Sequence, residues 1–142
     1  MSERGFTVKA LGEVAIRCRN IEAMVAFYRD VIGLEVLEGG HRDTIVFFKI
    51  ADGPAGHTCV LALFTGEGGF EPPAGGTSSL HHLALTVDYA EQDAAIAWYE
   101  KLDLQYRIEH FDWIGWRGVF TNDPEGNTVE LVAYCRGKEA RA

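Results

Sequence analysis

The sequence predicts an α+β protein made of two β-α-β-β-β modules that pair around a cavity. Two observations predict this fold. The 142-residue chain gives the same order of strand-like and helix-like segments twice, and the apolar positions of the second helix follow those of the first at a constant offset of 71 residues. A single module of this kind leaves one apolar sheet face bare, so two copies gain by facing each other.

The first module begins with residues 11–18, which alternate in character as a half-buried strand does. Asn20 is a suitable N-cap for the helix that follows. Residues with helical spacing form one apolar stripe on this helix: Met24, Phe27, Tyr28 and Val31. Three further strands are predicted near 34–38, 43–51 and 57–65.

The second module repeats this plan with a strand over 80–87. Its helix carries the stripe Ala95, Trp98, Tyr99 and Leu102, which predicts the same buried face, and its later strands are predicted near 104–111, 115–121 and 127–135. Gly, Pro and Ser residues over 66–79 indicate the linker. We therefore expect a single domain over 1–142, with modules at about 9–65 and 80–136 and a tail at 137–142.

Composition excludes several classes of partner. Apolar residues make up 47% of the chain and charged residues 24%, which is typical of a globular protein. The formal charge of −8 disfavours nucleic acid. The sequence has no apolar run of 18 residues and no secretory signal, and its three cysteines form no CxxC motif. These features predict a cytoplasmic protein without a membrane partner.

Three side chains are candidate metal ligands. Strand alternation places Glu13, His82 and Glu130 on the cavity side of their strands, whereas His81 points the other way. A buried carboxylate needs a cation, a proton or water, and one imidazole with two carboxylates suits a divalent ion such as iron, manganese, zinc or nickel. The alternatives are a salt bridge from Glu13 to Arg117 or contact with solvent, a hydrogen-bonded core position for His82, and a surface position for Glu130.

Three segments resemble the vicinal oxygen chelate superfamily, namely AFYRDVIGLEV, HHLALTV and NDPEGNTVELV. That superfamily includes glyoxalase I, extradiol dioxygenases, fosfomycin-resistance transferases and bleomycin-binding proteins, and the resemblance covers about residues 9–136. It implies metal ligands on the first and last strands of each module. The corresponding positions are Glu13, Ala62, His82 and Glu130, of which Ala62 cannot bind a metal.

The resemblance implies a metal that binds two adjacent substrate oxygens, but it leaves the reaction open. Glyoxalase I has a carboxylate where this chain has Ala62, and the dioxygenases and fosfomycin transferases have histidine where it has Glu13. We expect a metal-dependent enzyme acting on a small substrate with adjacent oxygens, of dioxygenase or of lyase or isomerase type. The alternative is a non-catalytic drug- or metabolite-binding protein of the bleomycin-resistance kind, for which an acidic, aromatic-rich chain suits a cationic aromatic ligand.

Other residues are assigned from their chemistry alone. Aromatic and basic side chains on predicted strands or turns are candidates for substrate binding at the cavity mouth: Phe48, His110, Trp113, Trp116 and Arg117. The sequence Asp123-Pro-Glu-Gly-Asn127 is typical of a tight turn rather than a catalytic site. Exposed strand edges, together with the resemblance, favour a homodimer.

Overall fold

The computed structural model describes residues 3–38, 43–66 and 68–135, and the chain divides into two compact units, Met1–Pro72 and Pro73–Ala142. The boundary lies inside the segment 66–79 that the sequence predicts as the linker. Residue 136 and the predicted tail at 137–142 lie outside the described residues. Each unit contains one four-stranded sheet and one main helix, which confirms the α+β class.

The first unit contains β1 (Glu13–Arg17), α1 (Ile21–Ala26), β2 (Glu35–Leu37), β3 (Ile45–Ala51) and β4 (Cys59–Phe64). The strands lie in the order β1-β4-β3-β2. The β1 strand runs parallel to β4, whereas the other neighbouring pairs are antiparallel. Strands β1 and β2 run in the same direction at opposite edges of the sheet, so the chain needs a crossover such as α1 between them, and β2, β3 and β4 then form an antiparallel meander.

The second unit contains β5 (Leu83–Thr86), α2 (Gln92–Lys101), β6 (Arg107–Phe111), β7 (Trp116–Asn122) and β8 (Thr128–Tyr134). Its strand order is β5-β8-β7-β6, with β5 parallel to β8 and the remaining pairs antiparallel. The two sheets therefore have one topology, and the β-α-β-β-β order predicted for each module is confirmed.

The repeat extends to the register of individual residues. Ala15 on β1 pairs with Ala62 on β4, and Ala84 on β5 pairs with Glu130 on β8. These two pairs occupy the same place in their sheets, because β1 corresponds to β5 and β4 to β8. Ala62 and Glu130 are thus equivalent positions, one with a methyl group and the other with a carboxyl group.

The first helix departs from the predicted regular form. After α1 the chain continues as a wider π-helical turn over Phe27–Val31, in which the Ile32 amide donates to the Phe27 carbonyl at 3.1 Å. Phe27 and Tyr28, the first two residues of this turn, are both buried as the sequence predicted, and their rings meet edge to face at 5.0 Å. Apolar spacing alone did not predict this turn.

The buried side of α2 is narrower than the sequence predicted. Tyr99 is buried, but Trp98 and Leu102 are both 38% exposed, so the prediction that they share its buried face is wrong. Instead Gln92, seven residues before Tyr99, is fully buried. Its Nε2 donates to the carbonyls of Arg117 at 2.7 Å and Leu131 at 3.0 Å, which fastens the start of α2 to β7 and β8.

Tyr99→Phe is expected to stabilise the protein. The Tyr99 hydroxyl is buried and finds no hydrogen-bond partner among the described residues, so removing it should raise the free energy of unfolding by about 1 kcal/mol near neutral pH. Burial also raises the pKa of Tyr99 from 10.0 to about 12. Above pH 10.0 the unfolded chain loses this proton while the folded chain keeps it, so Tyr99 lowers the stability of the wild type there, and the variant should lose less stability than the wild type.

Urea unfolding at neutral pH and at pH values above 10.0 measures both effects. Tyr106→Phe is the control at neutral pH, because the Tyr106 hydroxyl donates to Glu100 Oε2 at 2.7 Å and its loss should bring no gain. A Tyr99→Phe protein less stable than the wild type would show that the hydroxyl has a stabilising partner.

The segment Asp123–Asn127 is a turn between β7 and β8, as its sequence indicated. One carboxylate oxygen of Asp123 accepts from the amides of Glu125 at 2.9 Å and Asn127 at 3.0 Å, and the other accepts from the Asn127 side chain at 2.9 Å. Asp123 is buried, and these hydrogen bonds stabilise its carboxylate within the turn. Its role is structural.

Candidate metal centre

The candidate site in the second unit lies on one face of its sheet. We call the side of this sheet that carries Glu130 the Glu130 face. The pairing register places the following residues on it: Ala84, Thr86, Arg107, Glu109, Phe111, Trp116, Gly118, Phe120, Asn122, Thr128, Glu130, Val132 and Tyr134. The opposite side carries Leu83, Leu85, Val119 and Leu131, which are buried. The alternation on β5 and β8 is the one that the sequence indicated.

Glu130 and His82 form the centre of the candidate site. His82 precedes β5, and its Nε2 lies 3.1 Å from Glu130 Oε1. Glu130 is only 4% exposed, whereas about a third of the His82 side chain, 34%, is open. Burial raises the pKa of the Glu130 carboxyl above its usual value, and the neighbouring His82 opposes that shift. A buried carboxylate in this setting calls for a cation or a proton.

Two residues of β7 create the space that Glu130 occupies. Phe120 is the direct cross-strand partner of Glu130, and its ring contacts the His82 ring at a centroid distance of 5.8 Å. A side chain at Gly118 would collide with the Glu130 carboxylate and would come within 2.8 Å of the Phe120 ring. Gly118 therefore allows the carboxylate to lie over the strand, and a glycine inside a strand is a signal that the sequence offered.

The second nitrogen of His82 is also engaged. Its Nδ1 lies 2.8 Å from Nδ1 of His81, and the two rings meet edge to face at a centroid distance of 5.1 Å. Strand alternation predicted that His81 points away from His82. This prediction does not apply, because β5 begins only at Leu83 and the preceding residues are not held in a ladder.

The spacing of the His82 and Glu130 atoms fits adjacent ligands of a divalent ion. Two ligands at about 2.1 Å from an octahedral ion, at right angles to each other, lie about 3 Å apart, and the observed separation is 3.1 Å. The donor types also fit, since imidazole and carboxylate together suit Fe, Mn, Zn and Ni. The pair could therefore supply two ligands and leave other positions open.

The third predicted ligand, Glu13, belongs to the first unit. It is the first residue of β1, is exposed, and pairs with Val60 of β4. By alternation it lies on the same side of its sheet as Ala15 and Ala62, as the sequence indicated. Among the residues that the structure describes, no group of three or more His, Cys, Asp or Glu side chains is placed so that it could hold a metal ion.

Three of the five predicted substrate-binding residues lie away from these faces. Phe48 is fully buried on the helix side of its sheet, where its ring lies 6.2 Å from that of Tyr28. Arg117 lies on the side opposite Glu130, with Nη1 3.5 Å from Asp93 of α2, and His110 is its cross-strand partner. Strand parity turns Phe48 away from the side of its sheet that carries Ala62, and it turns Arg117 and His110 away from the Glu130 face.

The two predicted tryptophans are at one end of the second sheet. Trp116, at the start of β7, lies on the Glu130 face and is 43% exposed, directly opposite the exposed Tyr134 of β8. Trp113 lies in the turn between β6 and β7 and is 84% exposed. Trp116 and Tyr134 thus form an open aromatic pair on the same face as the candidate ligands.

Sequence reasoning missed Arg107 and Glu109 on β6. The Arg107 guanidinium lies 4.3 Å from the centroid of the Phe120 ring, and its Nη2 is 3.3 Å from Glu109 Oε2. Both residues are on the Glu130 face, and their opposite charges act on the Glu130 carboxyl in opposite directions. The predicted strand near 104–111 could have identified them only if its register with β7 had been known.

The chain belongs to the Glyoxalase/Bleomycin resistance protein/Dioxygenase superfamily, whose family model matches residues 10–131. This result confirms the family that the three sequence segments resemble. Members of the superfamily typically use divalent metal ions and bind small molecules. A comparison with curated protein sequences gives no match.

Solved structures show the same fold. A lactoylglutathione lyase from Agrobacterium tumefaciens is 27% identical, with a TM-score of 0.67 and coverage of 87% of this chain and 92% of that one. A glyoxalase/dioxygenase from Nostoc punctiforme is 23% identical (TM-score 0.68, coverage 89% and 92%). The fosfomycin resistance protein of Mesorhizobium loti is 21% identical (TM-score 0.65, coverage 96% and 100%). The last two similarities concern the fold alone.

Across the described parts of the chain, none of the helices has both the length and the apolar character that a membrane span requires.

Proposed function

We propose that this protein is a metal-dependent enzyme that acts on a small substrate with two adjacent oxygen atoms. In this proposal Glu13, His82 and Glu130 hold one divalent ion, with Fe, Mn, Zn and Ni as the candidates. The reaction is of dioxygenase type or of lyase or isomerase type. The observation that carries the proposal is the 3.1 Å approach of His82 Nε2 to the buried carboxylate of Glu130.

The repeat supports the choice of Glu13 as the third ligand. Glu13 stands two residues before Ala15, and His82 stands two residues before Ala84, and these alanines are equivalent in the two sheets. The internal symmetry that relates His82 to Glu13 also relates Glu130 to Ala62. A site built on this symmetry has three ligating side chains and one methyl group.

A bound ion would act as a Lewis acid toward the substrate oxygens. The protein side chains then have separate tasks. Glu130 supplies negative charge from a buried position, and Gly118 leaves the room that keeps its carboxylate in place. Phe120 supports the His82 ring from one side. The methyl group of Ala62 offers no base, so the proton transfers of a lyase or isomerase reaction would require another group.

Contacts to the substrate are proposed for the Glu130 face rather than for Phe48, His110 and Arg117. Arg107 would attract an anionic substrate group, because its guanidinium lies over the ring of Phe120, which also contacts the His82 ring. Trp116 would cover a flat apolar part of the substrate, with Trp113 at the rim. A small anionic compound with neighbouring oxygens is the substrate class that these contacts favour.

The second candidate function is non-catalytic binding of a drug or metabolite. Ala62 favours this function, because it stands at the position equivalent to Glu130 and supplies no carboxylate, which leaves only three ligands. The exposed pair of Trp116 and Tyr134 and the net charge of −8 would suit a cationic aromatic compound. For either function we also propose a homodimer in the cytoplasm.

Titration of chelator-treated protein with Mn²⁺, Fe²⁺, Zn²⁺ and Ni²⁺ separates the two functions. The enzyme proposal requires one bound ion per chain, measured by calorimetry and by elemental analysis after desalting. A bleomycin-type cationic aromatic compound is titrated in parallel. Stoichiometric binding of that compound by metal-free protein, together with no binding of any of the four ions, would replace the enzyme proposal with the binding one.

A further inference from the structure

The contact between His81 and His82 requires that one of the two Nδ1 atoms carry a proton. Two imidazole Nδ1 atoms lie 2.8 Å apart, so one of them donates a hydrogen bond and the other accepts it. At the other end of the His82 ring, Nε2 lies 3.1 Å from Glu130 Oε1. A neutral imidazole has one N–H and one lone pair, so whichever group occupies Nε2 decides the role of Nδ1.

We propose that His81 is a positioning residue that holds His82 in the tautomer required for metal binding. This inference rests on the proposed function, because it takes His82 Nε2 as the ligand atom. With Nε2 directed at an ion, the proton of His82 is on Nδ1 and is donated to His81 Nδ1. His81 then carries its own proton on Nε2.

This role matches what ligating histidines generally need. The ring N–H that does not face the metal is usually donated to a carboxylate, a carbonyl or water, which fixes both the tautomer and the ring orientation. The structure shows no other bond at His82 Nδ1 among the described residues than the one to His81. Phe120 contacts the ring from the side and can restrict its tilt, but it cannot select the protonated nitrogen.

The test compares His81→Leu with His81→Asn in the full-length protein. Asparagine keeps a side-chain acceptor and leucine does not. For His81→Leu we expect Zn²⁺ affinity to fall by about 10- to 100-fold, with the melting temperature of the metal-free protein unchanged because His81 is exposed. His81→Asn should retain most of the affinity. Ser79→Leu, at an exposed position in the same connection, controls for an added apolar side chain.

The ¹⁵N resonances of the His82 ring give a second readout. In the Zn²⁺-loaded wild type we expect a protonated Nδ1, and in the metal-free protein we expect its Nδ1 signal to move in His81→Leu but not in Ser79→Leu. If the wild type binds no Zn²⁺, the proposed function fails. The metal-free spectra would still show whether His81 and His82 are hydrogen-bonded. Unchanged ring signals and unchanged affinity in His81→Leu would overturn the role of His81.

Discussion

Glu130→Ala is expected to abolish metal binding while leaving the fold intact. Glu130 is the buried member of the candidate ligand set, and its carboxylate lies within 3.1 Å of His82 Nε2. Loss of an outer-shell partner weakens metal affinity by about 10- to 100-fold, so loss of a ligand should exceed about 100-fold. Calorimetric titration of the chelator-treated variant with Zn²⁺ and Mn²⁺ measures this change, and circular dichroism reports the fold.

Glu130→Gln adds a test that separates a ligand from a structural carboxylate. Burial raises the pKa of Glu130, so the folded chain holds this proton more tightly than the unfolded chain. The wild type therefore loses stability as pH rises from the ordinary value of 4.5 toward the higher folded value. In chelator, Glu130→Gln should be more stable than the wild type at neutral pH, and the difference should vanish in acid below pH 4.5.

The matched control is Glu109→Gln, which removes a half-exposed carboxylate from the same face of the same sheet. It should keep the metal affinity of the wild type. Equal affinity in the wild type, Glu130→Ala and Glu109→Gln would remove Glu130 from the site. A Glu130→Gln protein that is less stable in chelator at neutral pH would instead identify the carboxylate as a structural partner of His82.

The fold could be predicted because its signals are local. Alternation over short runs predicts strands, helical spacing predicts helices, and the repeat of both predicts two equivalent modules. The π-helical turn at Phe27–Val31 was not predicted, because the apolar spacing that marks a helix is compatible with both forms. The exposure of Trp98 was missed because the polar Gln92, which apolar spacing overlooks, lies on the buried side of α2.

The site was harder to predict because it depends on register between strands. The closeness of Glu130 and His82 was implied by the resemblance, which places ligands on the first and last strands of each module, and β5 and β8 are neighbours in the sheet. The register of β7 against β8 depends on the turn at Asp123–Asn127. Because β7 is buried on both sides, alternation of apolar and polar residues does not show which of its residues lie on the same side as Glu130. The sequence therefore could not show that Arg117 lies on the side opposite Glu130, and it predicted no role for Arg107 or Gly118.

Ala62→Glu tests whether position 62, the equivalent of Glu130, faces the ion of the proposed site. Ala62 is fully buried and is equivalent to Glu130, so a carboxylate at this position has no ready partner in the metal-free protein. In chelator we expect the free energy of unfolding to fall by about 3 kcal/mol or more. With Zn²⁺ present, a fourth ligand would recover much of that loss, because a ligand that binds only the folded chain stabilises it.

The comparison that decides this prediction is the rise in melting temperature on adding Zn²⁺. That rise should be larger for Ala62→Glu than for the wild type. It should also be larger for Ala62→Glu than for Ala62→Gln, because glutamine has the length of glutamate but no charge. Ala133→Glu makes the same exchange at a buried position on the opposite side of the second sheet, where no ion should rescue it. An equal rise in Ala62→Glu and the wild type would show that position 62 does not face the metal, and the three-ligand arrangement would then lose the support that the internal repeat gives it.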